Sequence, residues 1–164
     1  MMKLKKTTTR HKISRTLHWA VFLTLAMSVW YAYPQGLFSR EELDVSQTVP
    51  HIDWSWIATG VVVLRIAWHL FRRSTKKIDQ VPSWTTAYKA VVVLMRWLPL
   101  LITVTGVGAI WSVGRDVLAF GFPVVTGLAE RSHDLQKAME VAHIGLWYLL
   151  ATLLALHVIM ALER

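Results

Sequence analysis

Four of the chain's seven histidines, His18, His51, His143 and His157, fall at or near the ends of apolar stretches. Imidazole is a good ligand for transition-metal ions, iron included. His143 and His157 stand fourteen positions apart. In an α-helix that interval turns through about 1400°, roughly 40° short of four turns, and rises about 21 Å. Both side chains therefore share a face, near opposite borders of a hydrocarbon layer roughly 30 Å thick. Cysteine is absent, which excludes disulfides, iron–sulfur clusters, thiolate metal sites and the C-x-x-C-H attachment of c-type haem. Any cofactor must be held by histidine, carboxylate or backbone.

The elements that position these residues are those of a membrane protein. The 164 residues are 54% hydrophobic and include nine Trp, outside the usual soluble range. The net charge of +8 lies in blocks beside apolar runs, an arrangement that fits membrane topology rather than nucleic-acid binding. Four segments, about Thr16–Tyr33, Trp54–Phe71, Ala90–Trp111 and Ala142–Leu162, approach the roughly 20 residues needed to cross. Trp19, Trp30, Tyr31, Tyr33, Trp54, Trp56, Tyr88 and Trp111 fit an interfacial belt. The first span follows a basic leader, but no small-residue cleavage site precedes Pro34, so a retained anchor is expected.

Lysine and arginine are dense in the leader (Lys3, Lys5, Lys6, Arg10, Lys12, Arg15) and in the second connection (Arg72, Arg73, Lys76, Lys77, Lys89). The first connection has Arg40, and the third Arg115, Arg131 and Lys137. The positive-inside rule puts both termini in the cytoplasm. The expected fold is all-α: a single domain over 1–164, a transmembrane four-helix bundle running up-down-up-down. The first external loop, Pro34 to Asp53, carries Pro50 just before the second span. In the third, Val113 to Lys137, Gly114, Gly121, Pro123 and Gly127 are expected to break regular structure.

This topology gives the histidines depths. His18 and His157 lie near the cytoplasmic border, His51 and His143 near the outer one. Two neutral imidazoles at one depth on facing helices suit bis-His axial ligation of haem iron, and each pair lacks the further ligands of a tetrahedral zinc site. Two such haems, separated by roughly 21 Å of helix rise, would form an electron wire across the bilayer. A lone histidine at a helix end is more often interfacial; two depth-matched pairs favour ligation. His11 and His133 lie in polar flanks; His69, four residues after Arg65 near the cytoplasmic end of the second span, could replace either inner ligand, but with no further outer counterpart at hand it ranks as an interfacial or ligand-supporting group.

Arg65 stands fourteen residues after His51, on the same face near the inner depth, where a haem propionate is its natural counter-ion and snorkelling to headgroups the alternative. Arg96 and Lys89 share a face of the third helix, where headgroup, propionate and quinone contacts compete. Gly106, Gly108, Gly145 and Ala151 allow close helix approach or make room for a flat porphyrin.

With these residues in place, the chain resembles the bacterial cytochrome b561 family, four-span dihaem membrane cytochromes related to the cytochrome b subunits of nickel hydrogenases. Arg15-Thr-Leu-His18-Trp19 is similar to the family's R-x-L-H-W start. His51 precedes Leu64-Arg65-Ile-Ala-Trp68 at the family's interval. Thr105-Gly106 leads through Gly114-Arg115 to Phe120-Gly121-Phe122-Pro123, and the last span reads His143-Ile-Gly145, then Ala155-Leu156-His157-Val158 and Ala161. The resemblance covers Arg15 to Leu162 and implies two b-type haems, ligated by His18 with His157 and by His51 with His143, exchanging electrons with the quinone pool. Two departures stand out: Val92 and Arg96 lie where the family commonly has His and Tyr, which alters a quinone or proton site if those groups help shape one, and the basic tail that usually follows the last span is also missing.

The expected function is that of a dihaem cytochrome b in the bacterial cytoplasmic membrane, moving single electrons between quinone or quinol and a second redox protein. A homodimer is compatible with it. One alternative is a cytochrome b subunit anchoring a hydrogenase-like or other dehydrogenase. Another, from a different class, is a haem-free helical anchor or transporter with interfacial histidines.

Overall fold

The computed structural model describes residues 2–32, 45–73 and 85–162. They form α1 (Met2–Ala32), α2 (Val45–Arg73), α3 (Thr85–Ser112), β1 (Val117–Ala119), β2 (Phe122–Val125) and α4 (His133–Leu162). Tyr33, Arg40, Lys76 and Lys77 lie outside the described residues. Three stretches are long and apolar enough to cross a membrane: Val49–Phe71, Tyr88–Ser112 and His133–Leu162, of 23, 25 and 30 residues. At about 1.5 Å per residue each exceeds a hydrocarbon core roughly 30 Å thick. The apolar part of α1 is diluted by His18, Trp19, Trp30 and Tyr31, and α1 is not among them. All four helices nonetheless expose large apolar side chains, among them Phe22, Leu64, Leu101 and Ile159. Exposed apolar surface on this scale is what lipid covers.

The chain forms two compact units, residues 1–76 and 77–164. In the first, α1 packs on α2. Ala58, Val62 and Ile66 recur every fourth residue on α2 and are buried, as are Val21 and Ser28 on α1. His51 and Ser55 continue the same α2 stripe toward its amino end, because steps of three and four residues keep one face. Pro50 sits inside α2 rather than ahead of it. His51 is thus a helical residue within the second span.

In the second unit α3 and α4 run antiparallel. His157 lies against Tyr88, His143 against Ile102, and Met139 against Gly108, so α4 descends as α3 climbs. The α4 seam reads Met139, His143, Leu146, Leu150, Leu153, His157, steps of four and three in alternation. Leu150 and Leu153 at its centre are buried, as are Leu98 and Ile102 on α3. This confirms the shared face inferred from the fourteen-residue interval.

The connection between α3 and α4 is more ordered than its glycines and proline suggest. β1 and β2 pair antiparallel, with Ala119 opposite Phe122 and Leu118 opposite Pro123. The two turn residues, Phe120 and Gly121, have φ of 52° and 82°. Two positive-φ residues match the right-handed twist of a tight hairpin, and glycine takes that conformation without strain. Backbone bonds tie the ribbon to α3: Leu128 N–H donates to Trp111 O at 3.1 Å and Ser132 N–H to Ser112 O at 2.9 Å. Asp116 accepts from Gly127 N–H at 3.0 Å. Val117 and Ser112 are buried beneath these links, at 1% and 0% exposure.

The fourth helix begins at His133, nine residues before the expected span. Ser132 caps it by accepting from Leu135 N–H at 3.4 Å, and Asp134 places a carboxylate in the first turn, where the helix dipole favours it. The added turns are polar, with Gln136 donating to Glu140 at 2.7 Å. His133 is exposed at this capped start.

Candidate functional site

The site residues divide between the units: His18, His51 and Arg65 in the first, His143 and His157 in the second. On α2, His51 Nδ1 lies 2.8 Å from the carbonyl oxygen of Ser28 on α1. A carbonyl only accepts, so Nδ1 carries the proton and donates it. The lone pair of the neutral ring is then on Nε2, the tautomer a metal ligand needs. The Ser28 hydroxyl stands 3.3 Å from the same Nδ1 and 2.7 Å from the Ser55 hydroxyl. Ser55 in turn donates to His51 O at 2.7 Å.

His143 repeats the arrangement in the other unit. Its Nδ1 donates to Ile102 O on α3 at 2.8 Å, again leaving the lone pair on Nε2. The Thr105 hydroxyl is 3.4 Å from Nδ1 and donates to Ile102 O and Leu101 O at 2.9 and 3.0 Å. The ring lies over Gly106, where an added Cβ would stand 3.0 Å from Cε1 and 3.1 Å from Nδ1. Gly106 therefore serves the imidazole, as Gly108 serves Met139, whereas Gly145 faces open space. Gly106→Ala is expected to push the ring off the Ile102 carbonyl and to cost about 1–3 kcal/mol of stability. Thermal unfolding of the purified variant measures that cost, and an unchanged transition would refute it.

At the other depth, His157 stacks on Tyr88, with ring centroids 5.6 Å apart and planes 17° from parallel. His18 precedes Ser28 by ten residues, about 15 Å along α1. Each unit therefore carries two of these histidines, separated along its own helices. Arg65 is half-buried on α2, fourteen residues beyond His51 on the same side of the helix. His69 is exposed one turn further on.

Ser28, Ser55, the Ile102 carbonyl and the stacking of Tyr88 were not evident from the sequence. Hydroxyls in an apolar helix have many local uses, and a backbone carbonyl has no sequence signal. Thr105-Gly106 was visible as a motif, without its role beside His143.

The sequence profile of the prokaryotic cytochrome b561 family matches residues 10–163. The chain belongs to that family. No curated protein matches it. As a prokaryotic cytochrome b561 it is a membrane electron-transfer protein of the b-haem class, in contact with the lipid bilayer through its apolar helices. The donor set of this cytochrome b561 fits the group: the chain has no cysteine to offer, and two of its histidines are held in the tautomer that places the free electron pair on Nε2.

Proposed function

We propose that the chain is a dihaem cytochrome b of the bacterial cytoplasmic membrane, passing single electrons between the quinone pool and a second redox partner. His18 and His157 hold one haem near the cytoplasmic border, and His51 and His143 hold the other near the outer border. The single observation carrying this reading is the matched Nδ1–H donation by His51 and His143 to carbonyls of neighbouring helices, both at 2.8 Å. A ligating imidazole almost always donates its other ring N–H in this way, which fixes its tautomer and ring orientation.

When bound, haem iron supplies a one-electron couple. The protein's own residues do the rest. The carbonyls of Ser28 and Ile102 fix ring orientation and raise ligand basicity, and Tyr88 restricts the plane of the His157 ring. Arg65 offers a cation to a propionate, which offsets the cost of holding an arginine in a span. In the proposed up-down-up-down bundle, with both termini cytoplasmic, the ligands of each pair would share one depth. Quinone is the membrane-soluble reactant, and Val92 and Arg96 replace the pair of residues the family commonly has on the cytoplasmic half of α3.

The test is purification in detergent, a reduced-minus-oxidised spectrum and a haem-to-protein ratio. The expected result is a b-type α-band at two haems per chain, with reduction on adding a quinol analogue. A folded, haem-free preparation would refute the reading, and one haem per chain would refute the ligand assignment.

A further inference from the structure

The imidazoles of His51 and His143 are held alike by a carbonyl, yet the hydroxyls beside them are wired differently. Around His51 the two serine hydroxyl hydrogens follow one direction. Ser55 gives its hydrogen to His51 O at 2.7 Å, so its oxygen accepts from Ser28 at 2.7 Å. Ser28 has then spent its own hydrogen and faces Nδ1–H at 3.3 Å purely as an acceptor, beside its carbonyl at 2.8 Å. The bonds run from the imidazole through two serines back to the carbonyl of His51. At His143 the comparable hydroxyl, Thr105, also faces Nδ1 as an acceptor, at 3.4 Å, but its hydrogen stays with carbonyls of its own helix instead of passing to a second hydroxyl on a neighbouring helix.

We propose that Ser28, backed by Ser55, is a positioning residue that makes His51 a more basic ligand and so lowers the reduction potential of the haem His51 holds. This rests on the haem reading above. A hydrogen-bond acceptor at Nδ1 pushes electron density toward Nε2, and a basic ligand favours the ferric over the ferrous ion. An acceptor that is itself donating is polarised and accepts better, and a low-dielectric setting strengthens each bond of the chain. Ser28 is 2% exposed, so water is poorly placed to substitute for its hydroxyl.

The experiment is a redox titration of the α-band on haem-loaded protein in lipid nanodiscs, following the component that His51→Ala removes. Ser28→Ala is expected to keep that component and to raise its potential. Its ferrous-to-ferric ratio at fixed poise should rise about two- to fivefold, less than losing a whole hydrogen bond would give, because the Ser28 carbonyl still accepts from Nδ1 at 2.8 Å; tenfold would correspond to about 59 mV for one electron. The component that His51→Ala leaves behind stays at the wild-type potential. Ser28→Thr restores the wild-type value. Ser55→Ala shifts the same component in the same direction by less, and adds nothing in the Ser28→Ala background, because it acts through Ser28. A Ser28→Ala shift of both components or of neither overturns the proposal, as does full additivity with Ser55→Ala. Should Ser28→Ala fail to load haem, a Ser55→Ala protein titrating as wild type overturns it equally. The haem reading fails separately, if His51→Ala keeps every component of the wild-type spectrum.

Discussion

Alanine at His51 and alanine at His143 are expected to remove the same haem, and alanine at His18 or His157 the other. Each variant should fall from two haems per chain to one, a larger effect than any substitution at a residue supporting the ligands. The members of each pair lie in different hairpins, 92 positions apart for His51 and His143 and 139 for His18 and His157. Shared loss is therefore hard to attribute to local unfolding. Within the second hairpin, His143 and His157 sit on one seam of α4, four turns apart and buttressed by different parts of α3, Ile102 and Tyr88. A loss at one should leave the other's surroundings intact. Haem stoichiometry and the α-band remaining in the four variants decide the matter. If His18→Ala and His51→Ala erase the same spectral component, the pairing is wrong.

Gly127→Ala is expected to destabilise the second hairpin by about 3 kcal/mol, at the upper end for overpacking. A Cβ at this position would collide with Gly114 C and O and with Arg115 N. These are backbone atoms at the end of α3, where Gly114 closes the helix with φ of 73°, and they cannot move aside as a side-chain tip would. The substitution would separate Gly127 from Asp116 and open the links from Leu128 and Ser132 to α3. Gly121→Ala is the control. Its φ of 82° strains alanine, but nothing lies within 4 Å of the new methyl, so about 1–2 kcal/mol is expected. Thermal unfolding of both variants in one detergent measures the difference, and equal transitions would contradict the geometry.

The helices were legible because apolar runs of this length leave few alternatives, and the shared face of His143 and His157 because fourteen residues nearly complete four turns. The ribbon between α3 and α4 was not. Its strands hold three and four residues, and Pro123 argues against a strand until Phe120-Gly121 is recognised as a tight turn. The early start of α4 was missed for a related reason: its first turns are polar, so Ser132 and Asp134 mark the end of the helix while the apolar run does not. The Ser28–Ser55 circuit spans 27 positions and two helices, a distance at which periodicity carries no information.

The same ribbon has a consequence for how α4 tolerates change in length. Because Trp111, Ser112 and Asp116 grip the strand exits at Gly127, Leu128 and Ser132, the ribbon tip is mechanically decoupled from the helix that follows. Residues gained or lost at Phe120-Gly121 would leave the angular phase of α4 untouched. One residue gained between Ser132 and His143 would instead turn the imidazole by about 100°, away from Ile102. The grip at the base of the ribbon is the dial's zero mark, and His143 is read from it.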